Sequence, residues 1–246
     1  MGKNSLHNFQ AIATRGTPID QVDWPLRDKP CVIVGNGPSL AYTLRKLADK
    51  RDQYCIITVW HALDKLSEFR IRPDAIIHVD KLSPQHQGKC PPLPEHTAII
   101  ASPVTAAAFI QTFPNQPLYL LLSRENEGNM QWAEFMQREP HKPGLGTVVS
   151  GGVQSALYLG HKEVILTGVD LSFPNEASLT ASGYQSFANQ TQTVKNADGE
   201  ERLTLQIFLS YKEVLEGLAR DEAPNARFYN ESPGGLKLHG YEAWKL

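Results

Sequence analysis

Five consecutive residues, Gly35-Asn36-Gly37-Pro38-Ser39, separate an apolar run from a helical pattern, a spacing that brings main chain up to a phosphate. Gly35 permits a tight turn, and Gly37 leaves room for a ligand to approach the backbone. Pro38 and Ser39 suit a first helical turn, whose free N–H groups attract anions. These five residues are the first candidates for nucleotide binding. The competing reading is an ordinary strand-to-helix turn with no ligand, since short glycine motifs recur by chance. Two familiar phosphate sites are excluded by what is missing. The third small residue of a dinucleotide fingerprint is replaced by Leu40, and the next apolar run ends in Trp60-His61 rather than in an acid for ribose, which argues against NAD. No Gly-Lys-Ser/Thr follows, so the P-loop fails as well.

Two carboxylates sit where α/β enzymes keep their chemistry. Asp80 follows the apolar run 75–79, and Asp170 follows 163–167 through Gly168-Val169. Either suits acid/base work, metal binding or acceptance of sugar hydroxyls, and either equally suits a turn or helix cap. His78 precedes Asp80 by two, which on a strand points both to one side, and its imidazole titrates near neutrality. As a lone histidine at the end of an apolar strand it also reads as a packed, hydrogen-bonded residue. A second glycine-rich stretch, Gly144 to Gly152, feeds a helix, so Ser150, Gly151, Gly152 and, beyond the next strand, Gly168 join the nucleotide-binding candidates. Ser39 and Ser150 read as caps or phosphate donors rather than nucleophiles, because no Gly-x-Ser-x-Gly elbow occurs. No His/Cys cluster has metal-ligand spacing, so no metal site is assigned and no cofactor is required. Magnesium held through substrate phosphates stays open. Cys31 and Cys55 lie in apolar runs and are expected to be buried, reduced and inert, whereas Cys90 lies in a polar, proline-rich loop.

Strand and helix patterns alternate with short connections, which predicts one Rossmann-like α/β domain, 31–246, with a mostly parallel sheet and helices on both faces, behind a polar lead segment, 1–30. Strands are expected at 31–34, 55–59, 75–79, 97–101, 118–122, 163–167 and 227–229. Leu40, Leu44 and Leu47 mark the first helix, and further helices are expected near 62–69, 104–112, 132–136, 153–159 and 203–220. The stretch 174–202 is polar and rich in Gly, Asn and Gln, which reads as an insertion, lid or surface excursion, with a turn at Asn196-Ala197-Asp198-Gly199. In an open sheet, ligands sit beyond the carboxyl ends of the strands, where Asn36, Asp80 and Asp170 all fall.

Composition narrows the partners. A chain of 246 residues with 41% hydrophobic content can bury a full core, and a formal charge of −2 with no basic run argues against a nucleic-acid polymer. No apolar run is long enough for a membrane span, and the polar first ten residues are not a signal peptide, so the cytoplasm is the expected location. A homo-oligomer is compatible with the composition.

Three segments together resemble a known family: Val32 to Leu40 (VIVGNGPSL), Arg70 to Asp80 (RIRPDAIIHVD) and Gly151 to Phe173 (GGVQSALYLGHKEVILTGVDLSF), with Asn230 to Gly240 (NESPGGLKLHG) as a fourth. This resembles the MptE-like domain shared by bacterial motility accessory factors and archaeal 6-hydroxymethylpterin diphosphokinases. The first and third segments are also similar to bacterial sialyltransferases that use CMP-activated sugars. The resemblance to the diphosphokinases implies an acidic set that holds Mg²⁺ and moves pyrophosphate from ATP. Here the corresponding segments read His78-Val79-Asp80-Lys81 and Ser150-Gly151-Gly152-Val153, and no His-Gly-Asp occurs. The expected function is therefore a glycosyltransferase with a nucleotide-activated donor, CMP-linked and nonulosonic in type, and a glycan or protein acceptor. Asp170, Asp80 and His78 are its catalytic candidates. The alternatives are a Mg²⁺- and ATP-dependent pterin pyrophosphokinase and a nucleotide-binding domain without catalysis.

Overall fold

The computed structural model describes residues 3–81, 93–124, 127–141, 146–222 and 224–244. Among these, nine strands form one parallel sheet in the order β1-β6-β5-β4-β3-β2-β7-β10-β11. The strands are β1 (Gly16–Pro18), β2 (Cys31–Val34), β3 (Cys55–Val59), β4 (Ala75–His78), β5 (Ala98–Ala101), β6 (Leu118–Leu120), β7 (Glu163–Thr167), β10 (Arg227–Glu231) and β11 (Glu242–Ala243). The Rossmann-like α/β expectation holds. From β2 the chain winds outward through β3, β4, β5 and β6, then returns to place β7 on the other side of β2. That reversal leaves a crevice beyond the carboxyl ends of β2 and β7, because the two connections leave in opposite directions.

β2, β3 and β4 are buried at every position, as expected of central parallel strands covered on both faces. The covering helices can be placed from single contacts. Gly152 of α6 (Val148–Tyr158) lies against Ile33, a Cβ added there falling 2.9 Å from the Ile33 Cγ2. Thr43 of α2 (Leu40–Asp49) meets Thr167 through a 2.6 Å hydroxyl contact, and Thr167 is in register with Val34, one residue on from Ile33. Neighbouring residues on a strand point to opposite faces, so α2 and α6 cover opposite faces. On α2, Leu40, Leu44 and Leu47 are fully buried at helical spacing, which stabilises the packing by roughly 1.5–3 kcal/mol each.

The remaining helices are α1 (Lys3–Arg15), α3 (Leu63–Glu68), α4 (Ala107–Thr112), α5 (Glu127–Phe135), α7 (Glu176–Ala181) and α8 (Gln206–Glu222). α1 corrects the reading of residues 1–30 as a plain polar lead. It docks through Ser5, Asn8 and Ile12, and the Asn8 side chain donates to the carbonyls of Pro103 and Thr105 at 3.1 and 2.8 Å. Its buried face is largely polar, which hides it from a search for apolar periodicity. β1 was likewise not expected.

The polar stretch 174–202 is ordered structure. It carries α7, a 3₁₀ turn over Gln185–Gln190, and β8 (Thr191–Lys195), which pairs antiparallel with β9 (Glu201–Leu205). At the expected turn, Asn196 Oδ1 accepts from the N–H groups of Asp198 and Glu200 at 3.0 and 2.8 Å, and Gly199 has φ +82°. Leu203 therefore belongs to a strand, and the following helix begins at Gln206. The expected irregular loop 82–95 falls mostly outside the described residues, as do Cys90, Gly144 and Leu145.

Candidate functional site

The exits of β2 and β7 are built against each other. Gly35 N donates to the Thr167 carbonyl at 2.8 Å, and Gly37 N to the Gly168 carbonyl at 2.7 Å. A Cβ on Gly35 would stand 2.5 Å from the Gly168 oxygen, and one on Gly168 would stand 3.0 Å from the Leu40 Cβ. Leu40 thus fills the place where a dinucleotide fold needs its third glycine, and the close approach is supplied from the neighbouring strand by Gly168 (φ +64°). Leu171 also has positive φ, +53°, uncommon for a residue of its bulk, and its carbonyl accepts from the Thr204 hydroxyl at 2.7 Å. Between these two bends stands Asp170.

Asp170 is 5% exposed, and its carboxylate caps α2. Ser39 N donates to Oδ1 and Oδ2 at 3.2 and 3.3 Å, and the Ser39 hydroxyl donates to Oδ2 at 3.0 Å. Burial pushes the Asp170 carboxyl from its ordinary 3.8 up to about 6, and the Ser39 hydrogen bonds and the Lys65 ammonium only partly oppose this. The loop is braced from behind by the segment after β10. Leu236 N donates to the Asp170 carbonyl at 2.9 Å, and Ser232 Oγ accepts from Val169 N at 2.9 Å. A Cβ on Gly235 would lie 2.9 Å from the Asp170 Cα.

This geometry changes the role of Gly37. A Cβ there would fall 2.0 Å from Asp170 Oδ2 and 2.7 Å from the Gly168 oxygen. The glycine is required by the protein's own carboxylate, which occupies the amino end of α2 where a ligand phosphate was expected. Both Ser39 donors are engaged by it.

A cavity of about 390 Å³ opens at this point. Gly35, Asn36, Gly37, Pro38, Gly168 and Asp170 line one side, and Trp60, His61, His78 and Asp80 another. The opposite wall is Gly146-Thr147-Val148-Val149, the amino end of α6. Ser150, Gly151 and Gly152 were expected to form that wall, but they are buried behind it. α6 begins earlier than the pattern suggested because Thr147 and Ser150 make a capping box: Thr147 N donates to Ser150 Oγ at 3.0 Å and Val149 N to Thr147 Oγ1 at 3.4 Å. His78 is 2% exposed, with its ring 5.0 Å from that of Phe109. β4 stops at His78, so strand alternation does not govern Asp80, which is exposed. Both nevertheless face the cavity.

The sequence profile of the family described as 6-hydroxymethylpterin diphosphokinase MptE-like matches residues 3–176, well over half the chain. The chain belongs to the MptE-like family. No curated protein sequence matches it. Among solved structures, the MAf glycosyltransferase from Magnetospirillum magneticum AMB-1 is similar in fold, with a TM-score of 0.69 and 19% identity over 98% of this chain. The chain spans 37% of that protein's length.

The MptE-like match ends before the last wall of the cavity. Phe173 lies inside the matched span, but Tyr184, Phe208 and Tyr211 lie beyond it. These four rings form a chain: Phe173 to Tyr184 and to Phe208 at 5.6 Å each, Tyr184 to Phe208 at 5.2 Å, and Phe208 to Tyr211 at 6.1 Å. Burial, the Tyr211 phenol and the Asp80 carboxylate raise the Tyr184 pKa, and burial and Asp80 raise that of Tyr211. Both phenols are therefore protonated donors at neutral pH. Sequence reasoning passed over Phe208 and Tyr211. Their only signal was an i, i+3 aromatic pair on a helix following a polar segment, and that pattern also describes ordinary core.

Among the described residues, one group of three side chains has metal-ligand geometry, and it lies elsewhere: Cys31, Cys55 and His161. Their spacing in sequence carries no metal-ligand motif, so only the fold brings the three together.

Proposed function

We propose that the chain is a glycosyltransferase that takes a nucleotide-activated sugar, CMP-linked and nonulosonic in type, to a hydroxyl of a glycan or protein. The observation that carries this reading is the make-up of the switch-point cavity: a helix amino end, two carboxylates and an aromatic wall face one space of nucleotide-sugar size. The donor phosphate lies at the amino end of α6, whose dipole favours an anion although its own capping box already engages the Val149 N–H, and Asn36 lines the same cavity. Gly35, Gly37, Pro38 and Gly168 form the floor. Ser39 serves indirectly, by holding Asp170.

Asp170 acts as general base toward the acceptor hydroxyl. A carboxylate with a pKa of about 6 is ionised at neutral pH yet basic enough to take a proton as the hydroxyl attacks. Asp80 and His78 bind sugar or acceptor hydroxyls, and the Tyr184 and Tyr211 phenols donate to the departing phosphate. These phenols lie in the segment after residue 176, beyond the family match. The second reading, an ATP- and Mg²⁺-dependent pterin diphosphokinase, is favoured by the family description. It would require Asp80 and Asp170 to serve as magnesium ligands while Asp170 is tied to Ser39.

Calorimetry with CMP, CDP, UDP and ATP, in EDTA and then in Mg²⁺, tests the proposal. Cytidine nucleotides are expected to bind in EDTA. Binding of ATP alone, and only with Mg²⁺, would overturn the proposal in favour of the kinase. CMP binding without turnover of any CMP-sugar would favour the non-catalytic reading.

A further inference from the structure

The cavity at the carboxyl ends of the strands leaves one reactive cluster unused. Cys31 opens β2, Cys55 opens β3, and the two are Cα partners in the parallel ladder. His161 stands two residues before β7. The three therefore meet at the amino ends of the central strands, at the opposite end of the sheet from Asp170. One ligand atom of each lies within 4.8 Å of the others, and their exposures are 0%, 0% and 1%.

The histidine is oriented as a ligand would be. Its Nδ1 is 2.8 Å from the carbonyl of Lys29, which can only accept, so Nδ1 carries the proton and Nε2 the lone pair. That Nε2 is buried and makes no hydrogen bond to nitrogen or oxygen in the structure. A buried imidazole fixed through a backbone carbonyl at one nitrogen, with its other nitrogen available beside two sulfurs, is the arrangement of a metal-bound histidine with its supporting partner. The donor set is soft, two sulfurs and one imidazole, which selects thiophilic ions over magnesium or calcium.

We propose that Cys31, Cys55 and His161 form a site for one thiophilic d¹⁰ cation, Zn²⁺ or Cu⁺, that ties β2, β3 and the loop before β7 together. On binding, the ion replaces the thiol protons, which leave to solvent, and no electron is transferred. Two thiolates with Zn²⁺ make a neutral group, which suits the apolar surroundings. Three donors alone suit Cu⁺, since zinc ordinarily takes a fourth ligand.

The test uses the full chain carrying Cys90→Ser, so that the third cysteine contributes no signal. Protein purified under reducing conditions is stripped with chelator, loaded separately with Zn²⁺ or with Cu⁺ under anaerobic conditions, dialysed, and assayed for metal by mass spectrometry. One ion per chain in one arm, with a melting temperature above that of the stripped protein, is expected, and the arm that retains metal identifies the ion. Cys55→Ser and His161→Gln should each weaken retention by ~100-fold or more. Because these core variants can fail to fold, Co²⁺ added to the parent protein provides an independent readout, namely thiolate-to-cobalt charge-transfer absorption. Retention below one-tenth of an ion per chain in both arms, without that absorption, overturns the proposal. So does recovery of Cys31 and Cys55 as a disulfide from protein handled without reductant.

Discussion

Replacing Asp170 by Asn removes a charge that the fold holds at a cost, and the size of that cost can be worked out. Burial moves the carboxyl from 3.8 to about 6, which at 1.36 kcal/mol per pH unit corresponds to ~3 kcal/mol by pH 7.5. The sign follows from the proton balance. The folded chain keeps the proton that the unfolded chain releases between pH 3.8 and about 6, so Asp170 favours the folded state least above that window. At pH 4.5 only ~1 kcal/mol of the penalty has developed. The substituted amide would keep the size of the side chain and an acceptor for Ser39 N–H, and would be neutral throughout. In urea unfolding, Asp170→Asn should therefore gain on the parent by ~2 kcal/mol between pH 4.5 and pH 7.5, while transfer of sugar falls by ~10² or more. Subtracting the two proteins cancels every other titrating group. Stability curves that run parallel to within ~0.5 kcal/mol would refute the reasoning, since they would mean that the carboxylate is not held in a desolvated place.

Gly152→Ala is expected to destabilise by ~1–3 kcal/mol, because its Cβ would meet Ile33. CMP affinity of the folded fraction should be unchanged, as calorimetry on refolded protein would show. Ser150→Ala should cost ~1 kcal/mol in urea by opening the capping box, again without loss of a ligand contact. Asp80→Asn removes a negative charge that disfavours the phenolates of Tyr184 and Tyr211, so both should titrate at lower pH, as followed by phenolate absorption. An unchanged titration would separate Asp80 from the aromatic wall.

Much of the sheet was legible in the chain, because the central parallel strands are short and mostly apolar, and 55–59 and 163–167 appear at those bounds. The first helix was equally legible from Leu40, Leu44 and Leu47. The crevice followed from these elements, since ligands in open sheets gather beyond strand ends. Local pattern failed where burial is polar, as in α1, whose Asn8 amide nitrogen donates to carbonyls 95 and 97 residues away. It failed again in the stretch 174–202, where alternation is faint because β8 has no buried position and β9 is buried only at its last two residues.

The roles within the site belonged to the tertiary structure. The glycines at 35, 37 and 168 are intelligible only as a pair of strand exits pressed together, with Asp170 filling the space that the turn motif reserved for a phosphate. At the amino end of α2 the protein's own carboxylate engages the Ser39 donors that a ligand phosphate would use, a contact across 131 residues that no local pattern carries. Cys31, Cys55 and His161 show the same limit at the other end of the sheet. Residue types and the alternation of elements are local properties that a sequence carries in order. Contacts between positions 24 and 130 residues apart arise only when strand order is set, and strand order depends on how the whole core packs.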